Sequence, residues 1–350
     1  MEEVTVLGAG FAGMRTALEL ANDGFEVTLL DLREQHEYTP GLIDILRGRV
    51  KSGRLAFDIE DFLEGTGIEF EQEVVEGVIP DRKKIVTGES DRSYRNLVVA
   101  LGGEPETFGI DISEADSMYS MESAEAVENK LDEVEDAIIV GSGYVGMETA
   151  GELEARGIEV RVLDQATRPL RNSPEKASHI LLDYIESRDI SFMGGRTVAE
   201  VAEDGVVTED GKKIEADMVI WAGGIKAPEV VQNSFGTDSN GIAVNAGLSS
   251  EKHADVFAAG DCADTPVLET AQNAIEQAKT VSENTRKDEN QELERYSPGE
   301  TPLVVSIGKT GIVVYGDLVL ESRLFRYLKD AIRWKYFLGL RLSRFRARHL

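Results

Sequence analysis

Residues 4 to 31, VTVLGAGFAGMRTALELANDGFEVTLLD, return at residues 137 to 164 as AIIVGSGYVGMETAGELEARGIEVRVLD, with thirteen of 28 positions identical at a constant offset of 133. Each copy runs from an apolar, β-branched-rich stretch through GxGxxG and a helical stretch to a second apolar run that ends in an acid. In the first copy Gly8 permits the tight turn, Gly10 lets backbone approach a pyrophosphate, and Gly13 lets the helix pack closely on the strand. A pyrophosphate then meets a helix N-terminus, where free N–H groups and the dipole favour negative charge. Gly24 closes the helix, and Asp31, 23 residues after Gly8, is placed to accept bonds from ribose hydroxyls. Gly141, Gly143, Gly146, Gly157 and Asp164 occupy the same places in the second copy. One such unit is a site for one adenine dinucleotide, so two predict two dinucleotides and electrons passing between them.

Composition narrows the function classes. The chain has 350 residues and a net charge of −28, from 65 acids against 37 basic residues, only 14 of them lysine. That balance argues against nucleic acid as a partner, because such affinity comes from neutralising phosphates. The periodic apolar runs argue against a disordered acidic chain. A surface this acidic and poor in lysine matches adaptation to high salt, where screening removes most self-repulsion. The single cysteine, Cys262, excludes an internal disulfide or a CxxC redox pair. The four histidines lie far apart in sequence, so no metal site is expected. A first strand starting at residue 3 or 4 leaves no room for a signal peptide, and no run of 18 apolar residues appears.

The fold class read from this pattern is α/β. Two Rossmann-like dinucleotide-binding domains are expected, one inserted in the other, with a C-terminal α/β segment ending in an amphipathic helix. The expected boundaries are 1–107 with 234–299 for the first domain, 108–233 for the second and 300–350 for the C-terminal segment. LREQHEYTPGLIDILRG reads as a loop and short helix, and residues 104 to 136 as a polar crossover. Helices are expected near 176–188 and 270–286, the second with Ala271, Ala274, Ala278 and Val281 on its apolar face. KDENQELER reads as a charged connector, and residues 300 to 320 as strands.

Four motifs carry a family resemblance over essentially the whole chain: VLGAGFAG with Asp31, HEYTPGLIDILRG, GSGYVGME with Asp164, and VFAAGDCAD followed by ETAQNAIEQA. Together they resemble the two-dinucleotide-domain flavoproteins, and within them the type II NADH dehydrogenases, single-chain NADH:quinone oxidoreductases. The resemblance implies FAD in the first unit and NADH in the second. For FAD it implies contacts from Gly8, Gly10, Phe11, Ala12, Gly13, Asp31, Leu32, Arg33, Thr39, Pro40, Ala100, Gly102, Gly260, Asp261 and Ala271. Asp261 would bond the ribityl chain, and the helix beginning near Thr270 would point its positive end at the isoalloxazine. For NADH it implies Gly141, Gly143, Tyr144, Val145, Gly146, Glu148, Asp164 and Gly223. Glu148, where the first repeat has Arg15, is implied in an NADH contact or in proton delivery; the plain alternative is a carboxylate favoured by the helix dipole. Gln272 and Gln277 are candidates for a quinone carbonyl contact, against the alternative that they cap or solvate their helix. Asp164 favours NADH over NADPH, and Arg168 is a nearby cation able to blunt that preference. Gly41 and Glu269 depart from the family, which usually has leucine and proline there.

The last 29 residues differ in charge from the rest. Nine basic residues face one acid, Asp330, so this tail carries +8 and the remainder −36. At 100° per residue Leu324, Tyr327, Leu328, Ala331, Trp334, Leu338, Leu342 and Phe345 share one side, with Arg326, Lys329, Arg333 and Arg344 opposite. A basic amphipathic helix with Trp and Tyr is a membrane-surface pattern; packing on the body or on a dimer mate is the other reading. The expectation is a peripheral enzyme at the cytoplasmic face of the cell membrane, passing electrons from NADH through FAD to a quinone without pumping protons. The rivals are a sulfide:quinone oxidoreductase, which needs more cysteines, a soluble reductase of a small electron carrier, and a non-catalytic redox sensor.

Overall fold

The computed structural model describes residues 2–88, 90–186, 188–238, 240–287, 291–299 and 302–349. Ser187 in the expected 176–188 helix, Ser239 in the DSNGIAV turn, Asp288 to Asn290 in the expected connector, and Glu300 and Thr301 before the C-terminal strands lie outside them. In chain order the elements that build the site are β1 (Glu3–Leu7), α1 (Phe11–Asn22), β2 (Glu26–Asp31), β3 (Gln35–Glu37), β4 (Ala56–Asp58), β5 (Glu69–Gln72), β6 (Asn96–Val99), β7 (Asp116–Ser117), α2 (Met121–Lys130), β8 (Asp136–Val140), α3 (Tyr144–Glu154), β9 (Glu159–Asp164), α4 (Glu175–Glu186), β10 (Ile190–Gly194), β11 (Met218–Trp221), β12 (Val256–Ala258), α5 (Ala271–Thr285), β13 (Leu303–Ile307), β14 (Thr310–Tyr315), β15 (Leu318–Ser322) and α6 (Leu328–Ala347).

Two five-stranded parallel sheets carry the repeated units. The first has the order β12-β6-β1-β2-β5 and the second β7-β11-β8-β9-β10. Their central strands are covered on both faces, which explains near-continuous apolar runs such as Val4, Val6 and Leu7 or Ala137, Ile138 and Ile139, all fully buried. The repeat extends to the helix ends. Gly24 and Gly157 both adopt positive φ, and the residue after each bonds back to Leu20 or Leu153, so α1 and α3 end in the same Schellman turn.

The C-terminal segment sits on both units. β13, β14 and β15 form an antiparallel meander, and Val305, Ile307 and Ile312 join the core under α3. A Cβ on Gly151 of α3 would lie 2.5 Å from the Gly308 nitrogen, so the β13–β14 turn approaches closely only because that side chain is absent. Helix α6 lies along α1. Arg15 donates to the Ser343 hydroxyl at 3.2 Å, and Asn22 donates to the Ser343 carbonyl at 3.3 Å.

Two expectations change. The stretch after Asp31 forms β3, paired antiparallel with β4, and then a 3-10 segment over Thr39–Ile45. Residues 104 to 136 contain α2 as well as loops: Ser120 caps it, accepting from the Ser123 amide, and Ala124, Val127 and Leu131 are buried against the 39–45 segment. Its polar exposed residues hid that apolar stripe in the sequence.

Candidate functional site

One cleft of about 1180 Å³ runs between the carboxyl ends of the two sheets, and both glycine loops open onto it. That position is where strand order reverses in parallel α/β sheets, the usual place for a ligand. The two loops are built alike. A Cβ on Gly8 would lie 2.1 Å from the Ala100 carbonyl oxygen, and one on Gly141 2.2 Å from that of Ala222. Gly13 and Gly146 press against Gly8 and Gly141, where a Cβ would come within 1.7 and 2.0 Å of the carbonyl oxygen. By contrast nothing lies within 4 Å of a Cβ at Gly10 or Gly143. The backbone is crowded behind each loop and open in front, as a cradle for pyrophosphate requires.

The two acids are held alike as well. Asp31 accepts from the Ala9 amide at 2.6 Å and the Arg33 amide at 2.8 Å. Asp164 accepts from the Ser142 amide and the Ala166 amide, each at 2.7 Å, and also from the Ser142 hydroxyl at 2.6 Å. Each carboxylate thus ties its own glycine loop to the end of the second strand and keeps lone pairs free toward the cleft.

Most of the expected contacts line this cleft: Gly8, Gly10, Phe11, Ala12, Asp31, Leu32, Arg33, Thr39, Pro40, Ala100, Gly102, Gly141, Gly143, Tyr144, Val145, Glu148, Asp164, Gly223, Gly260, Asp261 and Ala271. Gly13 and Gly146 stand behind it, serving helix packing. Gln272 is exposed on α5 and outside the lining. Gln277 is buried with its amide engaged at both ends: Oε1 accepts from the Gly260 amide at 2.6 Å, and Nε2 donates to the Thr265 hydroxyl at 3.3 Å. It fixes the loop that carries Asp261. Arg168 is also committed elsewhere, donating to the carbonyls of Leu170, Arg171 and Ser173 and to the Ser178 hydroxyl. It does not line the cleft beside Asp164; Arg171 and Arg196 do.

Asp261 lies in the cleft wall, and no donor of the protein reaches its carboxylate among the described residues. Burial, and then the Glu269 carboxylate, push its pKa up to about 6. A half-buried carboxylate in the cleft wall without a protein partner fits an acceptor held ready for ligand hydroxyls. Its neighbour Cys262 is fully buried, its thiol raised by burial, with Sγ 3.4 Å from the Gly102 carbonyl. Gly41, the departure from the family, is filled from outside: a Cβ there would lie 2.7 Å from Leu55 Cδ2.

Glu148 is engaged by other parts of the protein. It is buried, accepts from the Ser306 amide at 2.6 Å and forms an ion pair with Lys329 of α6. Burial raises its pKa, opposed by Lys329 and the Ser306 bond. The basic face of α6 is therefore turned inward, with Arg333 beside Asp44 at 3.8 Å. The stripe of Leu324, Tyr327, Trp334, Leu342 and Phe345 is turned outward, each residue 55 to 74% exposed. The helical wheel separated the two faces but missed the inward anchors Tyr336, Phe337 and Leu340, which pack against Phe11, Tyr38 and Phe57 or bury in the core.

Comparisons with known proteins agree with this geometry. The family described as pyridine nucleotide-disulphide oxidoreductase matches residues 2–278. A type II NADH:quinone oxidoreductase of Staphylococcus aureus is 25% identical over 378 residues, covering 95% of this chain and 94% of its own. Among solved structures, NDH2 of Plasmodium falciparum in complex with NADH superimposes with a TM-score of 0.86 at 15% identity, covering 98% of this chain and 97% of that one. A ferredoxin reductase from Rhodopseudomonas palustris gives 0.79 at 23% identity and covers 90% and 82%. At these identities the two structures establish the fold.

Proposed function

The chain belongs to the pyridine nucleotide-disulphide oxidoreductase family, and we propose from that premise that it carries electrons from NADH through FAD to a quinone at a membrane surface. It is an oxidoreductase whose cofactors are FAD and NADH. The observation that carries the quinone reading is the C-terminal helix, which closes one side of the cleft through Lys329 while showing an apolar stripe to the outside.

The first unit would hold FAD and the second NADH. Gly10 and Gly143 leave room for the two pyrophosphates, and the N-termini of α1 and α3 favour their charge. Asp31 and Asp164 would receive ribose hydroxyls, and Asp261 the ribityl hydroxyls. FAD, when bound, supplies a two-electron carrier between a hydride donor and the acceptor. Thr270 and Ala271 line the cleft, so the N-terminus of α5 favours negative charge on the group beside it. Glu148, held by Ser306 and Lys329, is proposed as the wall group that holds a proton near the acceptor. Gln272, exposed beside the α5 N-terminus, keeps a proposed contact to a quinone carbonyl.

We place residues 1–107 with 234–299 in the FAD domain, 108–233 in the NADH domain and 300–350 in the membrane-facing segment. Exposed Arg323, Lys335, Arg341 and Arg346 accompany the apolar stripe and suit anionic headgroups. Among the described residues no helix is long and apolar enough to cross a membrane. The proposed placement is peripheral, at the cytoplasmic face, with no coupling to proton translocation; a homodimer is compatible with it.

A soluble reductase of an electron-carrier protein is the second reading, favoured by the ferredoxin reductase likeness. The deciding experiment is steady-state NADH oxidation in molar salt, with a short-chain quinone in solution and a long-chain quinone in anionic vesicles. Turnover with both, faster when the protein binds the vesicles, supports the proposal. Turnover with neither, in a protein that reduces a small iron–sulfur or haem carrier, removes it.

A further inference from the structure

The C-terminal helix meets the first unit at a buried histidine that the mechanism above does not use. His36, on β3, is 1% exposed. Its ring stacks on Phe57 at 4.8 Å and on Tyr336 of α6 at 5.8 Å, and Phe11 meets it edge-on at 5.6 Å. Nδ1 lies 2.7 Å from the Ala9 carbonyl oxygen, and Nε2 lies 2.8 Å from the Tyr336 hydroxyl. A carbonyl only accepts, so Nδ1 carries the proton and Nε2 accepts from the tyrosine. Burial, opposed by the Ala9 bond, lowers the imidazole pKa to about 4, in keeping with a neutral ring.

Ala9 is the residue between Gly8 and Gly10, and both of its backbone groups are taken. Its amide donates to Asp31 and its carbonyl accepts from His36. The second repeat supplies the contrast. Ser142 stands in the place of Ala9, and its carbonyl accepts from the Leu170 amide at 2.9 Å, a backbone bond within its own unit. The NADH-side loop is therefore fixed locally. The FAD-side loop is fixed by a side chain whose tautomer and orientation depend on Tyr336 of the C-terminal helix. Phe11, the first residue of α1 and part of the cleft wall, lies 5.0 Å from the same tyrosine ring.

We propose that His36 and Tyr336 are positioning residues for FAD, their hydrogen bond transmitting the seat of the C-terminal helix to the first glycine loop and thereby setting how tightly FAD is held. The inference rests on the reading of the first unit as the FAD site. Tyr336→Phe keeps the ring in the aromatic cluster and removes the donor. Nε2 is then a buried acceptor without a partner, and the other tautomer is no remedy, since it leaves an unpaired Nε2–H and takes the donor from the Ala9 carbonyl.

The test is titration of apoprotein with FAD, followed by flavin fluorescence, alongside titration with NADH and thermal melting of the apoprotein. Wild type, Tyr336→Phe, His36→Phe and the control Tyr327→Phe, at an exposed residue just before α6, are compared. Tyr336→Phe is expected to raise the Kd for FAD about three- to tenfold, the range for one neutral hydrogen bond, and His36→Phe at least as much. NADH affinity and Tyr327→Phe stay at wild-type values. Unchanged FAD affinity in folded Tyr336→Phe overturns the inference. So does an equal weakening of both nucleotides with a lowered melting temperature, which a merely structural role produces. If His36→Phe does not fold, Tyr336→Phe decides alone. Wild type that binds no FAD removes the FAD-site reading itself, an outcome distinct from equal binding by wild type and variant.

Discussion

Lys329, near the start of the C-terminal helix, forms its ion pair with Glu148 in the wall of the dinucleotide cleft, so the helix that shows apolar residues outward is fastened inward at the site itself. Both partners are largely shielded from water, at 18 and 7% side-chain exposure. Removing one partner leaves a buried charge uncompensated.

Lys329→Met is accordingly expected to destabilise the fold by about 3 kcal/mol, with Glu148→Gln/Lys329→Met recovering much of the loss. Denaturant unfolding of the two variants measures this. Glu148→Gln alone should slow quinone reduction while leaving FAD content intact. Unchanged turnover would return Glu148 to a purely structural role at the helix junction.

Asp164→Ala removes both the proposed ribose acceptor and the tie to Ser142. NADH kcat/KM is expected to fall roughly ten- to a hundredfold, with a smaller loss for NADPH. Arg168→Ala should leave the NADH to NADPH ratio unchanged, because its guanidinium is spent on the carbonyls of Leu170, Arg171 and Ser173 and on Ser178 of α4. A large shift in that ratio with Arg168→Ala contradicts the assignment.

Asp261 offers a pH test. Its pKa stands at about 6 in the free protein, raised first by burial and then by Glu269. Ribityl hydroxyls donating to the carboxylate favour its charged form. FAD affinity should therefore be full above pH 6 and weaken by up to about tenfold per unit below it. For stability without FAD the sign is opposite: with the native pKa raised, this group's contribution is present below pH 4 and is lost as pH rises through 6. Asp261→Asn should flatten the FAD dependence, whereas Cys262→Ala should not. FAD binding that stays constant from pH 5 to 8 in wild type removes Asp261 from the proposed contact.

The outer face of the last helix is tested by charge. Trp334→Glu with Leu342→Glu, at residues 67 and 55% exposed, should abolish binding to anionic vesicles and long-chain quinone turnover. Oxidation of NADH with a water-soluble acceptor should persist, since neither side chain touches the cleft. Removing residues 322–350 is a different experiment. It strips Lys329 from Glu148 and Tyr336 from Phe11, and exposes the partners of Leu340, so that deletion is expected to unfold or aggregate the protein rather than merely detach it.

The sequence by itself determined the two dinucleotide units, because the glycine and acid spacing that marks them lies within one strand–helix–strand stretch. Gly8, Gly13 and Asp31 act on one another within a single strand–helix–strand unit, and the same spacing repeats at Gly141, Gly146 and Asp164. The amphipathic division of the last helix was also legible, since a 3.6-residue period is a local property. Only the tertiary structure decided what the C-terminal segment touches. Arg15 and Glu148 occupy equivalent repeat positions, as do Leu18 and Gly151; in sequence Glu148 reads as a cofactor-side acid or a helix-dipole carboxylate, and Gly151 has no assigned role. In the fold Arg15 bonds Ser343, Glu148 pairs with Lys329, and Gly151 makes room for Gly308. The role of Gln277 as the brace of the Gly260 loop and the closing of His36 onto Tyr336 were hidden for the same reason. Such contacts join side chains through the packing of whole elements, and neither periodicity nor spacing along the chain encodes which elements will meet.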